Sequence, residues 1–293
     1  MNKNIVGRFL GRFLFLILIL TSCDEELGDN PLDPESENYQ EPTTTILSGP
    51  SNNSLVLIDT VTFTYSGNEF VTEYSHRLMF ESSDSFWEID TTWSDWTTDT
   101  IATYNRLDEG EHVFYVKGRY PSNDVLDLEV DEDPTPEESA FRVNAVSPSS
   151  IRVFPQATNT VRSSEFSIDI YAEELENITE IEVQLEYDNQ YIVLKDSISS
   201  GELLNSFSGG VPFYIDEELS VNTMKVSIGV TDSLGFNGTG SLFRTSFTTN
   251  NLTGTSEINL TTYFVRTTII NSVVVMDTIS VVDTVHGYIN ITE

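Results

Sequence analysis

Most of the chain beyond residue 45 alternates between apolar and polar residues in short runs that Gly, Asn, Asp and Ser separate. The runs Phe166 to Ile170, Ile181 to Tyr187 and Met224 to Val230 each place their apolar residues two apart. A period of two puts alternate side chains on opposite faces of a β-strand. One apolar and one solvated face is typical of antiparallel sandwich strands. No segment of helical length has a 3.6-residue period, and residues 173–177 leave room for one helical turn at most. The pattern predicts an all-β protein.

Composition divides the chain into four parts. Residues 1–22 are dominated by an apolar run, and residues 23–45 are acidic, contain proline and have few apolar residues. A stretch of that kind cannot bury enough surface to fold, so we expect residues 23–45 to be a disordered tether. Two blocks of alternating runs follow, residues 46–146 and 150–293. Ser147-Pro148-Ser149-Ser150 forms the joint, and we expect few contacts across it. We predict one antiparallel β-sandwich for each block.

The first residues have the features of a secretory signal. Lys3, Arg8 and Arg12 give a basic start, and Phe13 to Leu20 is an unbroken apolar run. A bilayer core is about 30 Å thick and takes roughly 20 helical residues to cross, so this run is too short to span it. It is typical of the apolar region of a signal peptide.

The sequence Leu20-Thr21-Ser22-Cys23 resembles the lipobox of bacterial lipoproteins, and Cys23 is the single cysteine of the chain. The resemblance implies cleavage before Cys23, acylation of Cys23 and an acyl anchor in the membrane. The alternative is an ordinary secretory signal with an incidental cysteine. Asp24-Glu25-Glu26 resembles the acidic export signal of surface lipoproteins in Bacteroidetes-type bacteria. That resemblance implies an outer-membrane protein that faces the cell exterior, whereas enterobacterial sorting rules would favour the inner membrane.

The charge of the chain restricts its partners. It has 14 Lys and Arg against 47 Asp and Glu, a formal net charge of −33. A surface this negative repels phosphate backbones, so we exclude nucleic acid as a partner. One cysteine rules out an internal disulfide framework and a cysteine-rich zinc site.

The first block resembles a fibronectin type III or triple-tyrosine-like sandwich. The motifs that carry the resemblance are Tyr74 to Leu78, Trp93 to Thr97, and Leu107-Asp108-Glu109-Gly110-Glu111-His112-Val113-Phe114-Tyr115-Val116. The last of these is similar to the strand entry that forms the tyrosine corner of such domains. His112 stands where the family usually has tyrosine, so the corner hydrogen bond lacks its usual donor.

The second block resembles a cohesin-like domain over almost its full length. The carrying segments are Ile181 to Asp188, Tyr191 to Gly201, Gly238 to Phe247, Gly254 to Leu260 and Gly287 to Ile291. The resemblance implies a nine-stranded jelly-roll sandwich that binds dockerins and so assembles polysaccharide-degrading complexes. Because dockerin contacts in that family lie on variable strand faces, no contact residue is carried over.

The chain lacks the motifs of the common enzyme classes. His76, His112 and His286 fall in predicted strands without a nucleophile elbow nearby, and there is no H-E-x-x-H, phosphate-binding loop or G-x-G-x-x-G. We therefore expect a protein that is not an enzyme and needs no cofactor. Calcium bound by acidic loops such as Asp127 to Glu132 is possible, since hard oxygen ligands are plentiful, but a solvated acidic loop is the simpler interpretation.

Phe86, Trp87, Trp93 and Trp96 form the densest aromatic cluster. Exposed tryptophan can stack on sugar rings, whereas buried tryptophan fills a core. We predict that Trp96 lies in the core of the first sandwich, and that Trp87 and Trp93 are the candidates for glycan contact.

Together these observations predict a lipid-anchored surface protein that binds or scaffolds other proteins through its cohesin-like domain, in polysaccharide degradation. The partner would be a dockerin-like surface protein. The alternative is a carbohydrate-binding lipoprotein of a glycan-uptake system.

Overall fold

A computed structural model describes residues 30–81, 92–121, 131–206, 213–230, 235–270, 273–279 and 283–293. Almost every regular element in these ranges is a β-strand, and the one α-helix among them, α1 (Glu202–Ser206), is a single short turn. The all-β class is therefore confirmed. No helix in the described ranges is long and apolar enough to cross a membrane.

The first sandwich consists of two sheets. The smaller sheet has the order β1–β3–β5, and the larger has β2–β8–β6–β4 with β7 paired to β6. Between the sheets, Phe63 and Phe114 stack with ring centroids 3.9 Å apart, and Phe141 packs against Phe63. The strands are β1 (Thr44–Ser48), β2 (Ser54–Val56), β3 (Val61–Gly67), β4 (Glu73–Glu81), β5 (Ile101–Tyr104), β6 (Gly110–Tyr120), β7 (Asp131–Glu132) and β8 (Glu137–Val143).

The segment before β1 packs against the first sandwich from residue 30 onward, which differs from the predicted tether of residues 23–45. Leu32 packs on the core of this sandwich. The Tyr120 hydroxyl donates to the carbonyl oxygen of Gln40 at 2.6 Å, and the Asn68 side-chain amide donates to that of Glu41 at 2.9 Å. These two hydrogen bonds hold the acidic segment although its composition supplies little apolar surface. Residues 30–43 are therefore held against the first sandwich and are not a free tether.

The second sandwich is built around one long strand, β11. Its first half pairs with β15 and β9, and its second half pairs with β14 and β16, so β11 contributes to both layers. The strands are β9 (Ser150–Phe154), β10 (Ala157–Val161), β11 (Glu165–Tyr187), β12 (Ile192–Ser200), β13 (Phe213–Leu219), β14 (Thr223–Val230), β15 (Phe236–Thr249), β16 (Gly254–Ile270), β17 (Val273–Ile279), β18 (Thr284–Val285) and β19 (Gly287–Thr292).

The bend between the two halves of β11 lies where the sequence left room for a helical turn. Glu174 and Asn177 have φ angles of 48° and 55°, and the register against β15 shifts on either side of Leu175. Residues in this left-handed region interrupt a ladder and turn the strand, as in a β-bulge. The segment is therefore a kinked strand and not a helix.

The predicted inward faces of the second sandwich are confirmed. Ile181, Val183 and Leu185 are fully buried, as are the alternating residues Met224, Val226 and Ile228 of β14. Burying each such side chain contributes about 1.5–3 kcal/mol to folding. One continuous apolar core therefore holds the two layers of this sandwich together.

Candidate functional site

The outer face of β13, β14, the second half of β11 and β16 is an open surface of the second sandwich. Gln184 lies opposite Lys225 on one side and Thr261 on the other, and Glu182 lies opposite Tyr263. Tyr263 and Thr261 are exposed, since their strand neighbours Leu260, Thr262 and Phe264 point inward. We call this surface the β16–β14 face.

The β16–β14 face carries an ordered ion pair beside the aromatic ring of Tyr263. The ammonium group of Lys225 lies 2.7 Å from Glu182 Oε2, and this hydrogen bond raises the pKa of Lys225. Tyr263, directly opposite Glu182, leaves 43% of its surface exposed. Tyrosine is enriched in protein interfaces because it combines a large apolar ring with a hydrogen-bonding hydroxyl.

Basic side chains elsewhere on the surface are already engaged within the chain. Among the described residues, Lys117, Arg119, Lys195 and Arg244 each have a carboxylate oxygen within 2.7 Å. With 47 acidic residues in the chain, these pairs leave most carboxylates unmatched. The resulting negative field attracts basic partners and repels acidic ones.

A second group of polar residues lies where the two sandwiches meet. Arg152 on β9 is buried, with Nη1 3.1 Å from Asp108 Oδ1 of the first sandwich and Nε 2.7 Å from Glu173 Oε1 on β11. The Phe80 and Phe154 rings pack beside this cluster at 5.6 Å between centroids. The two sandwiches therefore touch through a buried interface, although the sequence suggested few contacts across the joint.

A cavity of about 480 Å³ opens next to this interface. Its walls carry carboxylates from both sandwiches, including Glu81, Glu109, Glu174 and Glu202. No group of three or more His, Cys, Asp or Glu side chains in the described ranges is arranged to hold a metal ion. Of the acidic loop Asp127 to Glu132, for which calcium was the alternative to a solvated loop, residues 127–130 lie outside the described residues. The Asp131 carboxylate there accepts from the Tyr39 hydroxyl, and Glu132 pairs with Lys117.

Trp96 lies outside the core of the first sandwich, contrary to the prediction. Trp96 is only half-buried and lies on the outer face of the first sandwich, with the Arg119 guanidinium 4.3 Å from its ring centroid. The prediction of a core position is wrong, because Phe63, Phe114 and Phe141 already fill that space.

Trp93 belongs to the same outer face, and two cations lie over its ring. Arg77 and Lys117 approach the ring centroid to 4.6 Å and 4.9 Å. A sugar ring could stack on the part of Trp93 that Arg77 and Lys117 cover only after it displaced these cations. Trp87 and the lipidation residue Cys23 lie outside the described residues, so glycan contact and acylation stay predictions.

The three histidines take part in structural hydrogen bonds. His76 Nδ1 is 2.6 Å from the Tyr104 hydroxyl, and burial lowers the pKa of His76. His286 Nδ1 accepts from the Leu260 amide at 3.0 Å. His112 Nε2 donates to the carbonyl oxygen of Asp108 at 2.8 Å. Each ring therefore has a structural partner in place.

Sequence reasoning missed the cluster of Arg152, Asp108 and Glu173. A signal was present, since Arg152 interrupts the otherwise apolar end of the run Ser150–Phe154, every residue of which is buried. A buried arginine requires a carboxylate partner, but the sequence cannot show which of 47 acids supplies it.

No family model matches the chain, and no curated protein matches it significantly. Several solved structures that are similar to about half of this chain are cohesin domains. A non-cellulosomal cohesin from Archaeoglobus fulgidus is 23% identical, with a TM-score of 0.37 and coverage of 50% of this chain and 93% of that one. A type II cohesin from the cellulosome of Acetivibrio cellulolyticus is 17% identical, with a TM-score of 0.37 and coverage of 49% and 96%. The sixth cohesin of scaffoldin B from Acetivibrio cellulolyticus, solved with a Cel5 dockerin, is 12% identical, with a TM-score of 0.38 and coverage of 50% and 100%.

Proposed function

We propose that this chain is a surface recognition protein whose second sandwich binds a partner protein through the β16–β14 face. The observation that carries the proposal is the arrangement of that face. It is open and pleated, and it presents the exposed Tyr263 beside the Glu182–Lys225 ion pair. Flat sheet faces with an aromatic centre and a polar rim are suited to protein association.

The position of the first sandwich supports this choice of surface. It covers Arg152 and Phe154 on the β9 side of the second sandwich, and Arg106 reaches the ring of Tyr288 on β19. Thr261, Gln184 and Lys225 lie away from these contacts on strands β16, β11 and β14. The β16–β14 face is therefore free for a partner while the first sandwich acts as a support.

The charge of the chain indicates the chemistry of the partner. Because basic side chains are largely paired internally, an approaching molecule meets excess carboxylates. A basic or calcium-loaded domain would associate fastest and in a salt-dependent way. The sequence resemblance to cohesins suggests a dockerin-like domain as the class of partner, in the assembly of polysaccharide-degrading proteins.

The lipobox resemblance supports a position on a membrane surface. In this proposal Cys23 carries the acyl anchor, and the protein faces the exterior of the outer membrane. The binding face would then be displayed to partners that are outside the cell.

A pair of matched substitutions tests the binding face. Thr261 on the β16–β14 face and Thr62 on the outer face of β3 are both exposed strand threonines. We expect Thr261→Arg to weaken binding of dockerin-type domains from the same organism at least tenfold in titration calorimetry, and Thr62→Arg to leave it unchanged.

If Thr62→Arg weakened binding and Thr261→Arg did not, the first sandwich would be the binding domain. Absence of binding by the unaltered chain, together with retention of a soluble glycan, would replace the proposal by the carbohydrate-binding alternative. In that case Trp93→Ala should abolish glycan retention.

A further inference from the structure

The joint between the two sandwiches is centred on one buried guanidinium group. Arg152 Nη1 contacts Asp108 Oδ1 at 3.1 Å and its Nε contacts Glu173 Oε1 at 2.7 Å. The same Asp108 oxygen accepts from the backbone amide of Gln156 at 2.9 Å. The rings of Phe154 and Tyr171 lie against the guanidinium, 5.0 Å and 4.3 Å from it. Asp108 is thus held by two residues of the opposite sandwich.

The charges in this cluster do not balance. Two carboxylates share one guanidinium, and the side chains of Arg152, Asp108 and Glu173 are only 4%, 13% and 11% exposed. A buried group with one net negative charge is costly, because the surrounding protein solvates an anion poorly. One bound proton would make the cluster neutral.

Among the described residues, no ion pair brings a second cation to the cluster. Arg142 lines the adjacent cavity, but it is exposed and pairs with Glu111 at 3.9 Å. Glu109 follows Asp108 in the same loop, and its carboxylate accepts from the backbone amides of Ala145 and Val146. From β6, His112 touches the Asp108 carbonyl, and burial lowers the pKa of this histidine, which favours its neutral form. From the loop before β3, Asp59 lies 3.4 Å from the Gln156 side chain.

We propose that Asp108, Arg152 and Glu173 form a proton-dependent lock between the sandwiches, in which the closed joint takes up one proton that the open joint releases. Opening the joint hydrates Asp108, so the open form holds this carboxylate as an ordinary exposed anion. Acidification therefore favours the closed arrangement. At low pH the two sandwiches behave as one rigid body, and at neutral pH they separate more readily.

Electrostatics support the direction of this effect. Burial raises the pKa of Asp108 to about 6, and this outweighs the opposing effects of Arg152 and the Gln156 amide. Burial also raises the pKa of Glu173. A carboxyl group whose pKa is higher in the closed form than in the open form stabilises the closed form as the pH falls through that range.

Hydrogen exchange of the Gln156 amide in the full chain measures the opening directly, because this amide is bonded to Asp108 across the joint. We expect its protection factor, corrected for the intrinsic exchange rate, to rise about tenfold from pH 7.5 to pH 5.0. The Tyr187 amide, bonded to the Asn222 carbonyl within the second sandwich and away from the joint, is the internal control. Its protection should not follow the same curve.

Two variants assign the effect to Asp108. Asp108→Asn, an uncharged mimic, should remove the pH dependence at Gln156, whereas Glu165→Gln, at an exposed carboxylate that pairs with Lys195 away from the joint, should keep it. A flat or falling profile in the unaltered chain, an equal rise at Tyr187, or a slope that persists in Asp108→Asn would each overturn the proposal. If Asp108→Asn does not fold, the unaltered chain still decides, and Glu173→Gln should move the rise to lower pH.

Discussion

His112 donates its Nε2 proton to the carbonyl oxygen of Asp108, four residues earlier, at a distance of 2.8 Å. In fibronectin-like and related sandwiches a tyrosine hydroxyl makes this kind of bond to the backbone upstream. In this chain an imidazole makes a bond of that geometry, and its ring stacks on Phe141. The same Asp108 reaches Arg152 through its carboxylate, so the corner of the first sandwich also positions the joint.

Replacing His112 by Phe should destabilise the first sandwich. The substitution keeps an aromatic ring beside Phe141 but leaves the Asp108 carbonyl without its donor, which costs about 1–3 kcal/mol. All three tryptophans lie in the first block, so tryptophan fluorescence in a urea titration monitors that block alone. His112→Tyr restores a hydroxyl donor and should recover most of the loss. An unfolding curve of His112→Phe that matches the unaltered chain would contradict this role.

Local alternation was enough to predict strands such as Ile181 to Tyr187, because a two-residue period fixes which side chains face the core. The same reasoning could not find Arg152, whose partners Asp108 and Glu173 lie 44 and 21 residues away in the chain. Long-range pairing depends on how two sandwiches meet, and a single sequence contains no periodic signal for that. The missed cluster is therefore the part of the structure that depends on tertiary contact alone.

Phe114→Ala should destabilise the protein more than Trp96→Ala does, although tryptophan is the larger residue. Phe114 is fully buried, so its truncation removes about 3–5 kcal/mol of stability. Trp96 is half-buried and interacts with Arg119 at 4.3 Å, a contact of about 0.5–1 kcal/mol at such a site. Urea unfolding followed by far-ultraviolet circular dichroism measures both. A larger loss of stability for Trp96→Ala than for Phe114→Ala would indicate that Trp96 is buried in the core.

The mistaken position of Trp96 has a physical cause. Arg77, Lys117 and Arg119 alternate along the outer face of β4 and β6, where they pack against Trp93 and Trp96. Tryptophan between cations is stable on a surface, so clustering in sequence does not distinguish a core from such a ladder. The sequence shows which aromatic residues cluster but not which face of the sheet they occupy.

Acid should weaken the first sandwich through His76. Burial lowers the pKa of this histidine, so the folded chain binds fewer protons at His76 than the unfolded chain does. Stability from this site is complete above the ordinary histidine pKa of about 6.5 and falls as the pH decreases below it. His76→Gln keeps an acceptor for Tyr104 without a titrating ring. The difference in unfolding free energy between the two proteins should therefore shift in favour of the variant from pH 7.5 to pH 5; a constant difference would exclude His76 as the source.

Cys23→Ser should abolish acylation. A serine hydroxyl cannot form the thioether that joins a lipoprotein to its diacylglycerol, so the precursor should stay uncleaved and carry no labelled palmitate in its host. Ser22→Ala keeps a small residue before the cleavage point and should be labelled normally. Palmitate incorporation into Cys23→Ser protein would rule out the lipobox interpretation.

Residues 150–293 should fold alone but with lower stability than in the full chain. The fragment keeps the whole apolar core around β11. It loses Asp108 as a partner of Arg152 and exposes Phe154, which packs against Phe80 in the full chain. Exposing one buried aromatic side chain costs about 1.5–3 kcal/mol, and Arg152 retains Glu173 and gains water.

Hydrogen exchange of the Val183 and Val226 amides should therefore show cooperative unfolding at a free energy about 2–3 kcal/mol below that of the full chain. Phe80→Ala in the full chain should reproduce part of this loss, because it removes the same ring contact without cutting the chain. Equal stability of fragment and full chain would mean that the joint does not stabilise the second sandwich, whereas an unfolded fragment would mean that the second sandwich cannot fold without the first.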